Sequence, residues 1–152
     1  MAAAASLYVL LIALVLGAIA LGGGLYETIL IDHSWPRMPE IIRPDRGGIN
    51  RKLFWGPAHG LFELALLVAS WLAWAEPTER PWVITALVAH FGTRVWSFAY
   101  FIPVALRFEA GEVANSAQQA SVDRWVKLSR CRVLLEGIAV LALAIVLVKI
   151  VK

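Results

Sequence analysis

Apolar runs long enough to cross a bilayer fill most of this chain, and they leave few folds open to it. A hydrocarbon core of roughly 30 Å takes about 20 helical residues. That length fits four times, over residues 6–31, 53–75, 81–106 and 133–151. Composition agrees: 60% of the 152 residues are hydrophobic and 16% charged, a balance suited to lipid rather than water. Period-two alternation is absent, and a barrel would need many alternating segments of about 10 residues. The sequence therefore predicts an all-α fold, one integral membrane domain over residues 1–152. It would be a four-helix bundle with a long cytoplasmic loop between the first and second helices. The first run continues through Ile31 and has no basic segment ahead of it, so it reads as a retained helix and not a cleaved signal.

The basic residues encode an orientation. Ten of the fourteen lie either in loop one (Arg37, Arg43, Arg46, Arg51, Lys52) or ahead of the last run (Arg107, Arg124, Lys127, Arg130, Arg132). Arg80, Lys149 and Lys152 are left for the opposite side. The positive-inside rule then puts both long loops in the cytoplasm and both termini outside, in what reads as a bacterial inner membrane. Trp71, Trp74 and Trp82 would mark the outer interface and Trp35, Trp55 and Trp125 the inner one. Because the basic residues flank apolar runs instead of forming a stripe, nucleic acid is not an expected partner. Pro57 and Pro81 suit a first helical turn, and Pro103 marks an end or kink. Loop one, rich in proline and arginine, is expected to pack on the bundle mouth or the lipid surface.

Ionisable side chains in lipid cost roughly 2.5 to 3.5 kcal/mol each on insertion scales, so those retained mark the interior. They are Glu27, His59, Glu63, His90, Arg94, Arg132 and Glu136. His59/Glu63, His90/Arg94 and Arg132/Glu136 are each spaced i,i+4, which gives three helices one polar face apiece. These faces are expected to meet inside the bundle, with Arg94 or Arg132 pairing Glu63 or Glu136 and with Tyr26 and Tyr100 nearby. Two readings stay open. In one, the charges line a cytoplasm-facing pocket for a lipophilic small molecule. In the other, they fix helix packing, aided by close approach at Gly56 and Gly60 in a GxxxG spacing.

No cofactor motif is present. Haem or metal held by His59, Glu63 and His90 is a lesser alternative, since HxxxE is not HExxH and Cys131 is the only cysteine. For bis-histidine haem the helical rise separates His59 from His90 by roughly 10 Å along the membrane normal. His33 reads as an ordinary interfacial residue. There is no GxSxG, Walker loop or dinucleotide fingerprint, so hydrolase and nucleotide chemistry are unsupported. The lack of broken-helix repeats disfavours a carrier of protons or small ions.

Two segments carry a family likeness. One is the glycine-rich end of the first run leading into Leu25-Tyr26-Glu27. The other is Asp123-Arg124-Trp125-Val126-Lys127-Leu128-Ser129-Arg130-Cys131-Arg132, with tryptophan followed seven positions later by arginine at the mouth of the last span. In these and in its four-span layout the chain resembles the anthrone-oxygenase-like family of small four-helix bacterial membrane proteins, largely domains of unknown function. The resemblance implies an interior pocket for a hydrophobic, aromatic substrate. In the characterised branch it implies oxidation of an anthrone to a quinone by molecular oxygen without metal or flavin. It carries over only to Trp125 and Arg132. The long Pro/Arg loop and the His59-Glu63 and His90-Arg94 pairs depart from the family pattern.

The functional expectation is a pocket protein acting as an oxygenase-like enzyme. His59 and Glu63 would be the acid/base pair, Arg94 and Arg132 would hold an oxyanion or a carboxylate, and Tyr26, Glu27, His90, Trp125 and Glu136 would complete the binding surface. The alternative is a non-catalytic accessory subunit of a larger membrane complex. Expected partners are the lipid bilayer, the small molecule, and a second copy or a larger assembly.

Overall fold

The computed structural model describes the backbone of residues 2–110 and 116–151, and every regular element among them is helical. Helix α1 (Ala2–Tyr26) widens into a π turn at Glu27–Ile31 and ends in a short α2 (Asp32–Ser34). Two 3-10 turns, Pro39–Ile42 and Pro44–Arg46, shape the connector to α3 (Lys52–Leu72). Beyond a 3-10 turn at Ala73–Ala75, α4 (Arg80–Trp96) passes through a second π turn at Ser97–Phe101 into α5 (Ile102–Glu109). The last helix, α6, is Ser116–Val151. Lys152, counted above among the basic residues of the opposite side, lies outside the described residues.

Three helical stretches are long and apolar enough to cross a membrane: Ser6–Ser34, Lys52–Ala75 and Gln119–Val151. The run 81–106, expected to be a third span, is not among them. Helix continues through it as α4, the second π turn and α5, but polar residues such as His90, Thr93, Arg94 and Ser97 keep its mean hydropathy below that of the three spans. The π turn itself lies just ahead of Pro103, which has no N–H to offer the preceding turn. The helix expected at 133–151 begins much earlier, at Ser116, so the basic segment before it is helical too. Pro81 falls in the first turn of α4 as its position suggested. Pro57 instead lies inside α3, beyond its first turn, and deprives the Leu53 carbonyl of its usual donor.

Helix α1 packs against α3 and α6, and α4 packs against α6 and α3. The larger core sits where α1 begins and α6 ends. Leu10, Phe62, Leu66, Val83, Leu143 and Val146 interlock there with a set of alanines that let the backbones approach. Close contact also occurs at Gly17, where an added Cβ would stand 2.8 Å from the Phe62 ring. Gly56 and Gly60 make no such contact: both are exposed, and a Cβ at either would meet nothing within 4 Å. The GxxxG spacing therefore makes no helix–helix contact within the chain: Gly56 borders an open cavity and Gly60 is exposed.

A second, aromatic cluster closes the other end. Trp35 and Ile42 from the connector pack with Phe101, Phe108, Val122 and Trp125. The Trp35 ring meets Phe108 at 5.1 Å and stands edge-on to Trp125 at 5.8 Å between centroids. Loop one thus packs on the bundle mouth, the first of its two expected placements. Trp35 and Trp125 are 0% and 2% exposed, so they are core residues here, not rings of an inner interfacial belt. Trp71 and Trp74 are exposed at the opposite end.

Candidate functional site

Between the two cores lies a polar layer contributed by all the long helices. The i,i+4 faces of α3, α4 and α6 do converge. Arg94 Nε donates to Glu63 Oε1 at 2.7 Å, and His90 Nδ1–H donates to Glu136 Oε1 at 2.9 Å. His90 Nε2 stands 3.7 Å from Glu63 Oε1. His90 is 0% exposed and Glu136 4%, so this pairing removes from lipid a carboxylate that it would not solvate.

Arg132 takes no part in that pairing. Its Nη2 donates to Ser129 Oγ at 3.0 Å and its Nη1 to Ser97 Oγ at 3.4 Å. Its Cζ lies 3.8 Å from the centroid of the Phe101 ring. Among the described residues it forms no ion pair. The second π turn makes this arrangement: it turns both Ser97 and Phe101 inward, onto one guanidinium. Trp125, one further residue carried by the family resemblance, donates from Nε1 to the Phe101 carbonyl at 3.2 Å and so fixes the same turn.

The first π turn places Glu27, which accepts from Arg51 Nη1 at 2.9 Å and from Trp55 Nε1 at 2.6 Å. Arg51 also donates to Glu109 Oε1 at 3.2 Å, and Lys52 Nζ to Glu109 Oε2 at 3.2 Å. This knot joins the ends of α1, α3 and α5. The positive-inside count treats Arg51 and Lys52 only as topology signals, and Glu109 stands beyond the third run. Their signal was a basic pair at the start of one apolar run and a lone acid just past the end of another.

His59 lies between the two charged groups. Trp55 stacks on its ring at 4.9 Å, and the His90 ring lies 5.5 Å away between centroids. The two imidazoles are thus neighbours, and the 10 Å depth separation expected from helical rise does not hold. That expectation assumed parallel axes and neglected side-chain reach. His59 and Glu63 share a helix face but form no hydrogen bond among the described residues, and Glu63 is engaged by Arg94. The His59 Nδ1 atom is buried without a protein partner. His59, His90 and Glu136 each offer a ligand atom within 4.8 Å of the others, so these residues can hold a metal ion. The triad replaces the expected Glu63 with Glu136, which only the approach of α6 to α4 brings into range.

A cavity of about 500 Å³ opens onto this layer. Its polar lining includes Glu27, Arg51, Trp55, His59, Arg94, Arg132 and Glu136, and its apolar wall includes Leu21, Phe101, Ile102 and Val133. Of the expected site residues, Tyr26 is not there: it is 56% exposed on the outer face of α1. Glu63 and His90 stand behind the lining, in contact with Arg94 and Glu136. A second hollow of about 610 Å³ beside Thr28, His33, Arg37, Asp123 and Arg130 reaches the buried Asp32 but none of the seven charged or imidazole residues singled out from the sequence. Comparison with protein-family models, curated proteins and solved structures finds no match.

Proposed function

We propose that this chain is an integral membrane protein that holds a lipophilic small molecule with an acidic or enolisable oxygen in the 500 Å³ cavity. One observation carries the reading. Arg132, at the cavity wall, is held by two hydroxyls and an aromatic face and touches no carboxylate among the described residues; the acidic charges that act on it, Glu27 and Asp32, are engaged by Arg51 and by Trp35. A guanidinium with no carboxylate in direct contact at membrane depth is costly, and an anion in the cavity would complete it. The other cavity-facing cations have such a contact: Arg94 has Glu63, Arg51 has Glu27 and Glu109, and Lys52 has Glu109. The apolar wall suits the rest of such a ligand, and Trp55 offers a flat surface for an aromatic ring.

The bundle crosses the bilayer four times in this reading. The broken α4–α5 segment, lined with the polar residues, makes the fourth crossing beside the three apolar ones. Irregular backbone at membrane depth is tolerated where it lines a cavity, which is where the π turn lies. Basic-residue placement puts the cavity mouth and loop one on the cytoplasmic side and both termini outside. The resemblance to anthrone-oxygenase-like proteins favours an oxygenase-like reaction on an aromatic substrate. His59 offers a ligand there the one cavity-lining imidazole among the described residues.

The second reading, a non-catalytic accessory subunit, draws on the Glu27–Arg51–Glu109–Lys52 knot, whose charges satisfy one another and need no ligand. Native mass spectrometry on protein extracted gently from its own membrane separates the two. Under the cavity reading the wild type retains a reproducible small molecule, and Arg132→Gln, still folded, loses it. Ligand-free wild type in fixed stoichiometry with another membrane protein would establish the accessory-subunit reading instead.

A further inference from the structure

We infer that His59, His90 and Glu136 form a binding site for a divalent first-row transition metal at the inner wall of the cavity. The three residues come from α3, α4 and α6, yet their ligand atoms gather within 4.8 Å of one another. Each also keeps one buried atom without a protein partner: His59 Nδ1, His90 Nε2 and Glu136 Oε2. Unsatisfied polar atoms are costly in lipid, and those of His59 and Glu136, which both line the cavity, mark a place that something else completes.

The donor set says what that is. Two imidazole nitrogens and one carboxylate oxygen suit iron, cobalt or zinc, whereas magnesium and calcium favour all-oxygen shells. His90 Nδ1 and Glu136 Oε1 stand 2.9 Å apart, a separation that two ligands of one metal can have, so the metal would take the place of the proton that now lies between them. His90 Nε2 points the other way, 3.7 Å from Glu63 Oε1, which can then orient the ring from behind. Three protein ligands leave a coordination position open. His59 and Glu136 both line the cavity, so that position faces the space that a small molecule would occupy. The opposing charges are Arg94, already matched by Glu63, and Arg132, unmatched. The site shares the cavity with the ligand reading above but does not depend on it.

Purified full-length protein, stripped of metal with a chelator and titrated with Co²⁺, tests this by calorimetry and visible absorption. We expect one Co²⁺ per chain with ligand-field bands in the visible, and competition by Zn²⁺. His59→Ala and Glu136→Gln should each weaken binding at least about tenfold. His59→Ala is the decisive variant, since His59 makes no side-chain hydrogen bond among the described residues whose loss would unfold the bundle. Wild type that fails to bind, or a folded His59→Ala that binds as tightly as wild type, overturns the site. Arg132→Gln should keep Co²⁺ or hold it more tightly while losing the small molecule, so the two proposals fail separately.

Discussion

Where α1 begins and α6 ends, the bundle is held by Leu10, Leu66, Leu143 and a row of alanines, with no charge in the core. At the other end, beyond the polar layer, it is held by tryptophans and phenylalanines under a folded connector, next to a knot of two acids and two bases. The first end packs by shape alone, since lipid is as apolar as leucine and supplies no hydrophobic drive between helices. The second is held by directional bonds, each of which fails outright when one partner is lost. The cavity lies against the second end. Apolar packing and the polar, cavity-lining layer are thus separated along the helix axes, so each can be disturbed without the other.

The sharpest break is Glu27→Ala. It strips Arg51 and Trp55 of a partner in a pair whose side chains are each only 11% exposed. We expect a loss of about 4 kcal/mol in reversible unfolding in detergent, with the cavity disordered as well. Leu143→Ala should cost about 3 kcal/mol by opening a void in the apolar end, yet leave small-molecule retention unchanged. Equal damage to retention there would erase the distinction between the ends.

Gly48→Ala probes the connector, since a Cβ there would collide with the Glu40 and Ile41 carbonyls. About 2 kcal/mol is expected, together with raised Trp35 accessibility to a water-soluble fluorescence quencher. His59→Ala should change stability by less than about 1 kcal/mol while abolishing metal binding, which isolates recognition from packing. Gly56→Ala should raise stability by about 0.5–1 kcal/mol, because it lies inside α3, an added Cβ would meet nothing, and alanine suits a helix better than glycine. A loss instead would mean that this position is covered by a second copy or another subunit.

Much of the polar layer was legible beforehand because i,i+4 spacing is a property of the helix itself. Once residues 53–75 read as helix, His59 and Glu63 had to share a face, and lipid gave that face a reason to turn inward. Which acid meets which base was not legible. Arg94 takes Glu63 and leaves Arg132 to two serines, a choice set by how α4 and α6 lie together. The π turns were hidden for the same reason: Glu27 and Ser97 look like ordinary helical residues, and the wider turn follows from long-range contacts as much as from Pro103. Trp35 and Trp125 misled because an amphipathic ring suits an interface and a core equally well, and only the folded connector decides.

Hydropathy and spacing by themselves determined that the chain is helical, that it has stretches able to cross a membrane, counted as four where three are long and apolar enough, and that its charges share helix faces. Those properties depend on local period and on the solvent, and both can be read residue by residue. The tertiary structure alone decided the Glu136 contribution beside His59 and His90, the unmatched Arg132, and the cavity between the two cores. Each of these depends on the relative placement of residues tens of positions apart, which helix packing sets and no local pattern records.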